Sequence, residues 1–256
     1  MKRPLIWLFL MGLLYMKPSL ASCFDYRLLQ EHVHVVKVNL KCDGLGLVST
    51  KEVDRGQTVS MFAKKYVTDV AINGSYFRTD FQPFGLTVSD GQIWSKARDL
   101  KTRVFFACTQ KNDCLIESAN QITSPKPEWK IVISGWQVFD ASKKKFICSD
   151  LDERRCMGVK FVTKQPRTAL GLDENNHLYI IVAEGRLKSF KGLTLDELAN
   201  VLVKLNVKKA VNLDGGGSST LVINQKRVSM LPEKQKQERV VANHFGIIVT
   251  HSSVNH

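Results

Sequence analysis

Residues 194–220 read TLDELANVLVKLNVKKAVNLDGGGSST, and three signals in this stretch decide the fold. Thr194 followed three residues later by Glu197 has the form of a capping box: the hydroxyl accepts from the Glu197 backbone, and the carboxylate reaches back to the Thr194 N–H. Leu195, Leu198, Leu202 and Leu205 then recur at helical spacing and give one apolar face. Ala210 to Leu213 is an apolar run of strand length, and it stops at Asp214-Gly215-Gly216-Gly217-Ser218. The unit is helix, strand, glycine-rich turn.

The same order occurs earlier in the chain. Residues 58–66 put Val59, Phe62, Ala63 and Tyr66 on one helical face, and Val70-Ala71-Ile72 follows as a short strand that runs into Asn73-Gly74. Further strands are expected at 32–40, 103–108, 131–139, 178–183 and 247–250, with a hairpin over 220–228 turning at Asn224-Gln225. Residues 118–130 read as loop. Residues 140–165, with Lys143 to Lys145, Arg154, Arg155, Cys148 and Cys156, read as a surface excursion stapled by a disulfide. Strand, helix, strand suggests a crossover unit. The expected class is therefore α+β: a mixed β-sheet core with a few packing helices, in a single domain that suits a chain of 256 residues. If the two short strands were parallel neighbours, Asn73 and Asp214 would emerge at the same sheet end, where ligands tend to bind.

The first residues have the form of an export signal. Lys2 and Arg3 are basic, Leu5 to Tyr15 is apolar but short for a bilayer, and Ser19-Leu20-Ala21 has small residues at cleavage spacing. Residues 1–21 are thus expected to be a signal peptide, and residues 22–256 a periplasmic or secreted domain. Leu20-Ala21-Ser22-Cys23 also allows a lipoprotein signal. No later stretch has the length and apolarity of a membrane span. Six cysteines in an exported chain suggest disulfides. Pairing between sequence neighbours is expected: Cys23–Cys42, Cys108–Cys114 and Cys148–Cys156.

The formal charge is +13, lowered by three if Lys2, Arg3 and Lys17 leave with the leader. Such a protein concentrates near anionic polymers. Its basic residues are scattered rather than striped, which favours general affinity for anions over a specific nucleic-acid groove.

Several segments can carry chemistry. Asp214 ends a strand and can act as nucleophile or acid/base, while Gly215, Gly216 and Gly217 can turn backbone N–H groups towards an anion. Asn73-Gly74-Ser75-Tyr76 offers an amide to orient a substrate oxygen and a ring to lie against a sugar. Arg167, in Pro166-Arg167-Thr168, brings a guanidinium fork suited to phosphate. Glu184-Gly185-Arg186 and Glu238-Arg239 are acid–arginine pairs that could equally be surface ion pairs. Among the histidines, only His32-x-His34 is closely spaced, which reads as strand alternation.

Taken in order, Asn73-Gly74-x-Tyr76-Phe77, Pro166-Arg167-Thr168-Ala169-x-Gly171, Glu184-Gly185-Arg186, Gly192-Leu193-Thr194-Leu195-x-Glu197-Leu198-Ala199, Asn212-Leu213-Asp214-Gly215-Gly216-Gly217-Ser218-Ser219-Thr220 and Arg239-x-Val241-Ala242-Asn243 resemble the phosphodiester glycosidase family. The resemblance runs from about Val59 to Val249. Two departures stand out: Trp136 follows Ser134-Gly135 where relatives often have Gly or Pro, and Glu184 stands where Asp is common. The resemblance implies cleavage of a sugar-1-phosphodiester at the anomeric carbon, giving free sugar and a phosphomonoester. It implies Asp214 as first choice for the reactive carboxylate, then Glu184, then Glu238. Arg167 would hold the phosphate, assisted by Arg186 or Arg239, and Asn73 and Ser218 would orient oxygens. An envelope glycopolymer or glycolipid is a possible source of the substrate. No cofactor is called for, and a divalent metal is left open. Two rivals predict different chemistry: a non-catalytic binder of anionic polymers, and a phosphodiesterase attacking phosphorus, for which metal-binding clusters are usual.

Overall fold

A computed structural model describes residues 22–94, 104–118, 125–148, 158 and 162–250. The expected signal peptide lies outside the described residues, as does most of the 149–161 part of the expected excursion. The chain runs through β1 (Phe24–Leu29), β2 (Val33–Asn39), β3 (Leu45–Ser49), α1 (Val59–Tyr66), β4 (Val70–Asn73), β5 (Val88–Ser89), β6 (Gln92–Ile93), β7 (Val104–Thr109) and β8 (Cys114–Ser118). It continues with β9 (Trp129–Gly135), β10 (Gln137–Asp140), β11 (Lys145–Cys148), β12 (Arg167–Leu172) and β13 (His177–Ala183). The last elements are α2 (Leu195–Lys204), β14 (Lys209–Asn212), β15 (Leu221–Ile223), β16 (Lys226–Arg227) and β17 (His244–Val249).

The strands form three sheets: β1-β2-β13-β12-β14-β10-β11, β16-β15-β4-β17-β3 and β6-β5-β9-β7-β8. Among the described residues, a sheet core is packed by the helices α1 and α2, in line with the sheet core and packing helices expected from sequence. The crossover within one mixed sheet is not found. Every named strand pair is antiparallel, and β4 and β14 lie in different sheets. The reason is edge occupancy: β15 and β17 take both edges of β4, and β10 and β12 take both edges of β14. The start of the expected excursion is also more regular than expected, since β11 pairs with β10 and extends the long sheet.

The main core draws from all three sheets, with Val36, Ile72, Phe106, Ile133, Leu170 and Phe245 among its members. The alternate residues of β2 and β13, including Val35 and Ile181, face a second cluster built with Leu195, Leu198 and Leu202 of α2. β2 and β13 are therefore covered on both faces, which suits the apolar run Leu178 to Ala183 of β13. α1 packs Val59, Phe62 and Ala63 against Ala71 and Val222. The capping box at Thr194 is formed in both directions, with bonds of 3.1 and 2.9 Å. The hairpin turns at Asn224 and Gln225, both with positive φ, as the sequence pattern expects.

Cys23 is bonded to Cys42 and Cys108 to Cys114, as expected of neighbours. The lipoprotein alternative would need the Cys23 sulfur that this disulfide holds. Cys148 is also disulfide-bonded; its expected partner Cys156 lies outside the described residues. Among the described residues, no helix is long and apolar enough to cross a membrane.

Candidate active site

Antiparallel register gathers the charged residues at one end of the long sheet. Arg167 opens β12 opposite Ala183, so Pro166 and Glu184 lie at the same edge of that sheet end. β14 runs beside β12 with Asn212 opposite Ala169, which brings Asp214 out beside Arg167. Ala183 is opposite Val33 in β2, and Glu184 N donates to His32 O at 2.9 Å. The end of β4 in the second sheet meets this edge. Asp214 N donates to Gly74 O (3.1 Å), and the Asn73 side-chain amide donates to Asp214 O (2.7 Å). The two strand-end turns are thus joined, although their strands are not neighbours.

A cavity of about 260 Å³ opens at this junction, lined by Tyr76, Gln165, Arg167, Arg186, Asp214, the three glycines 215–217 and Arg239. Three guanidinium groups and one carboxylate share its wall. Arg167 is almost fully buried; its Nε donates to Leu193 O (3.0 Å) and one terminal nitrogen to Thr163 O (2.8 Å). Burial pulls its pKa down from the ordinary arginine value, with the Tyr76 hydroxyl opposing. Arg186 and Arg239 are exposed at the mouth. The Arg186 side chain bonds through Nε to Gln165 (2.9 Å), and Arg239 lies over the Phe77 ring at 5.7 Å. Among the described residues, neither guanidinium is neutralised by a carboxylate within ion-pair distance.

Asp214 is the carboxylate of this wall. Burial raises its pKa to about 6, against the lowering effects of the Ser218 hydroxyl, the Gly215 N–H and Arg239. The Gly215 N–H donates to Asp214 Oδ1 at 2.9 Å. The Ser218 hydroxyl is buried near the carboxylate and makes no bond of hydrogen-bonding distance and angle.

Two of the three glycines do different work from that expected. Gly215 N–H serves the Asp214 carboxylate, and Gly216 N–H donates to Pro166 O at 2.9 Å, so neither amide faces an incoming anion. Gly216 has φ +61°, and a Cβ there would come within 2.9 Å of the Arg186 guanidinium. The glycine lets that side chain lie on the loop. Gly74 similarly admits Asn243, whose Oδ1 would stand 2.5 Å from an added Cβ. Asn243 accepts from Ser75 N (2.8 Å), and its backbone oxygen accepts from Gly74 N (2.9 Å).

Asn73 is fully buried and braces the site. Its oxygen accepts from Thr168 Oγ1 (2.9 Å) and Thr220 N (3.2 Å), while its amide holds Asp214 O. It lies behind the pocket rather than in its wall. Tyr76 lines the pocket, its hydroxyl accepting from Asn212 Nδ2 at 3.0 Å. Trp136 packs against the Tyr76 ring at 4.8 Å and is not part of the wall.

Glu184 and Glu238 are not part of the wall either. Glu184 accepts from His34 Nε2 (2.9 Å), His32 Nδ1 (2.8 Å) and Met230 N (2.7 Å). Burial raises its pKa, and those bonds outweigh the burial, so the net shift is downward and the group is ionised at neutral pH. Glu238 accepts from Ser60 N (2.8 Å) and Ser60 Oγ (2.6 Å) at the start of α1. Gln165 is a wall residue with no sequence signal beyond its place before Pro166. Nor does the sequence show that Gln235 reaches Gly217 O (3.0 Å). His32-x-His34 looks like strand alternation, and only the register of β2 against β13 shows that both rings meet Glu184. Among the described residues, no group of three or more His, Cys, Asp or Glu side chains is placed to hold a metal ion.

An open pocket walled by three arginines and the Asp214 carboxylate lies at the meeting of antiparallel sheets in an α+β protein. The family profile described as phosphodiester glycosidase matches residues 66–248. The chain belongs to the phosphodiester glycosidase family. It is 30% identical over 181 residues to human N-acetylglucosamine-1-phosphodiester alpha-N-acetylglucosaminidase, covering 66% of this chain and 35% of that one. The mouse protein of the same name is 29% identical over 60% of this chain and 32% of its own. The chain spans about a third of the length of these curated relatives. Its fold matches the zebrafish catalytic domain of that name, auto-inhibited by its pro-peptide, with TM-score 0.69 and 22% identity over 89% of this chain and 82% of the other. A hypothetical protein from Synechocystis shares the fold at TM-score 0.59 and 14% identity, over 89% of this chain and 61% of that one.

Proposed function

We propose that this chain hydrolyses a sugar-1-phosphodiester at the anomeric carbon, releasing free sugar and a phosphomonoester. The observation that carries this reading is the pocket wall: Arg167, Arg186 and Arg239 with one carboxylate, Asp214. The guanidinium groups hold the phosphate and stabilise the charge that grows on it as the bond to carbon breaks. Ordinary glycosidases use two carboxylates, one of them protonating the leaving group. A phosphomonoester leaves with far less help, so arginines can replace that acid. Asp214 faces the sugar side, where its ionised form stabilises an oxocarbenium-like carbon or activates water. Tyr76 offers an apolar face to the sugar. Family membership and the human and mouse relatives' names support this substrate class; a glycopolymer or glycolipid outside the cell is its natural source. Two disulfides fit an oxidising compartment, periplasmic or extracellular.

The test is hydrolysis of N-acetylglucosamine-1-phosphodiesters in oxygen-18 water. Carbon attack puts the label in the sugar; label in the phosphate would favour the phosphodiesterase rival and overturn the reading. Asp214→Asn and Arg186→Ala should each lower kcat/KM by about a hundredfold or more, the size expected for a lost electrostatic contact to the transition state. Binding of the diester without turnover would favour the binder.

A further inference from the structure

Glu184 carries a dense polar network outside the pocket wall. Its two oxygens accept three bonds from three separate places: His34 in β2, His32 just before it, and the backbone of Met230. The network extends outward. Tyr26 OH bonds His34 Nδ1 at 2.9 Å, Ser189 Oγ bonds His32 Nε2 at 3.4 Å, and the His32 ring stacks on Phe190 at 4.9 Å. Glu184 itself is 4% exposed, so this is a built contact and not a surface encounter.

What the three bonds join is informative. Two residues after Glu184 comes Arg186, a non-glycine residue at φ 56° whose guanidinium lies on Gly216. Met230 begins the segment that leads through Gln235, bonded to Gly217 O, to Arg239. That segment is joined again to the Arg186 turn, where Glu233 N donates to Arg186 O at 3.2 Å and Lys188 pairs with Glu233 at 3.4 Å. Glu184 thus ties the sheet edge to both segments bearing the exposed arginines.

We propose that Glu184, clamped by His32 and His34, is a positioning residue that sets the places of Arg186 and Arg239 by anchoring the Met230–Arg239 segment to the end of the long sheet. It acts through those arginines and does not touch substrate. The proposal rests on the pocket being the phosphate site, so its test includes readouts that do not depend on turnover.

Three variants separate the roles. Glu184→Gln keeps an acceptor oxygen for His34 and Met230, loses the charge, and turns an NH2 donor toward His32, whose Nδ1 accepts it in the other neutral tautomer, so all three links are retained. Glu184→Ala removes every bond. His32→Ala removes one bond, at a partly exposed position, and serves if Glu184→Ala does not fold. Hydrogen exchange over residues 229–239 should be slow in the wild type and in Glu184→Gln, and faster in Glu184→Ala and His32→Ala. Inorganic phosphate, titrated by calorimetry, should bind Glu184→Ala about tenfold more weakly, with KM for the diester rising in parallel and kcat changing less. Glu184→Gln should restore KM and phosphate binding to within a few fold of wild type. Unchanged exchange over 229–239 in folded Glu184→Ala or His32→Ala would overturn the tether. So would a loss in kcat of about a hundredfold in Glu184→Gln with phosphate binding intact, which would mark Glu184 as a reacting group. Failure of the diester to turn over in the wild type, with the exchange and phosphate results as expected, would remove the proposed reaction and leave the tether standing.

Discussion

Asp214 concentrates the conflict between stability and chemistry in one carboxyl group. Its native pKa of about 6 lies above the ordinary unfolded value. The folded state therefore holds a proton between about pH 4 and 6 that the unfolded state has released, and stability falls as pH rises through that window. Above it the cost is constant. Asp214→Asn should remove the cost, raising stability at pH 8 by on the order of 2 kcal/mol and leaving it unchanged near pH 3.5, as thermal melts at the two pH values would show. The same variant should be catalytically crippled. In the wild type, kcat/KM should climb with pH through about 6 as the carboxylate ionises; a fall across that range would make the group an acid instead. The pocket residues Asp214, Arg167, Arg186 and Tyr76 were legible because they sit close to strand ends or glycines, and Arg239 because it forms an acid–arginine pair with Glu238. Gln165, the bracing role of Asn243 and the histidine clamp were not. Their partners are far away in sequence, Glu184 being 150 residues from His34, and no local pattern reports such a meeting.

At the scale of elements, local chemistry is read well and partnership poorly. The capping box, the leucine face of α2 and the Asn224-Gln225 hairpin each depend on residues within a few positions, and each forms as the pattern dictates. Thr194→Ala leaves the N-terminal amides of α2 short of one acceptor and should cost about 1 kcal/mol in chemical denaturation. Which strands pair is set by distant edges, so the repeated helix–strand–turn unit suggested a parallel crossover where antiparallel neighbours had already filled both edges. The acid–arginine pairs show the same division. The sequence places acid and base together, and only tertiary contacts reveal that Glu238 caps α1 while Arg239 turns to the pocket. Glu238→Gln keeps an acceptor for Ser60 N and should retain most activity, whereas Glu238→Ala should raise KM several-fold as Arg239 loses its anchor.

For the molecule as a whole, the arginine-walled pocket is a seam between sheets rather than a cleft in one of them. The long sheet supplies Arg167, Arg186 and Asp214, and the second sheet supplies the Asn73 and Asn243 braces. The start of β1 is fastened at the opposite edge by Cys23–Cys42, which closes a loop of sequence separation 19. Replacing both cysteines by serine should lower stability by about 3 kcal/mol on a loop-entropy basis, checked by denaturant midpoint under matched oxidising conditions. Because the core spans all three sheets, that loss should appear as one cooperative transition.

The inward aim of the Gly215 and Gly216 amides has a practical corollary. With those two donors already engaged, an occupant meets charge and flat guanidinium surfaces, and neither of those amides singles out a bridging oxygen. A phosphonate in which a methylene replaces the oxygen joining sugar to phosphorus keeps the charge and outline of the diester while removing its breakable bond. Such a mimic should lodge in the seam as an inert competitor and hold the arginines still for crystallography.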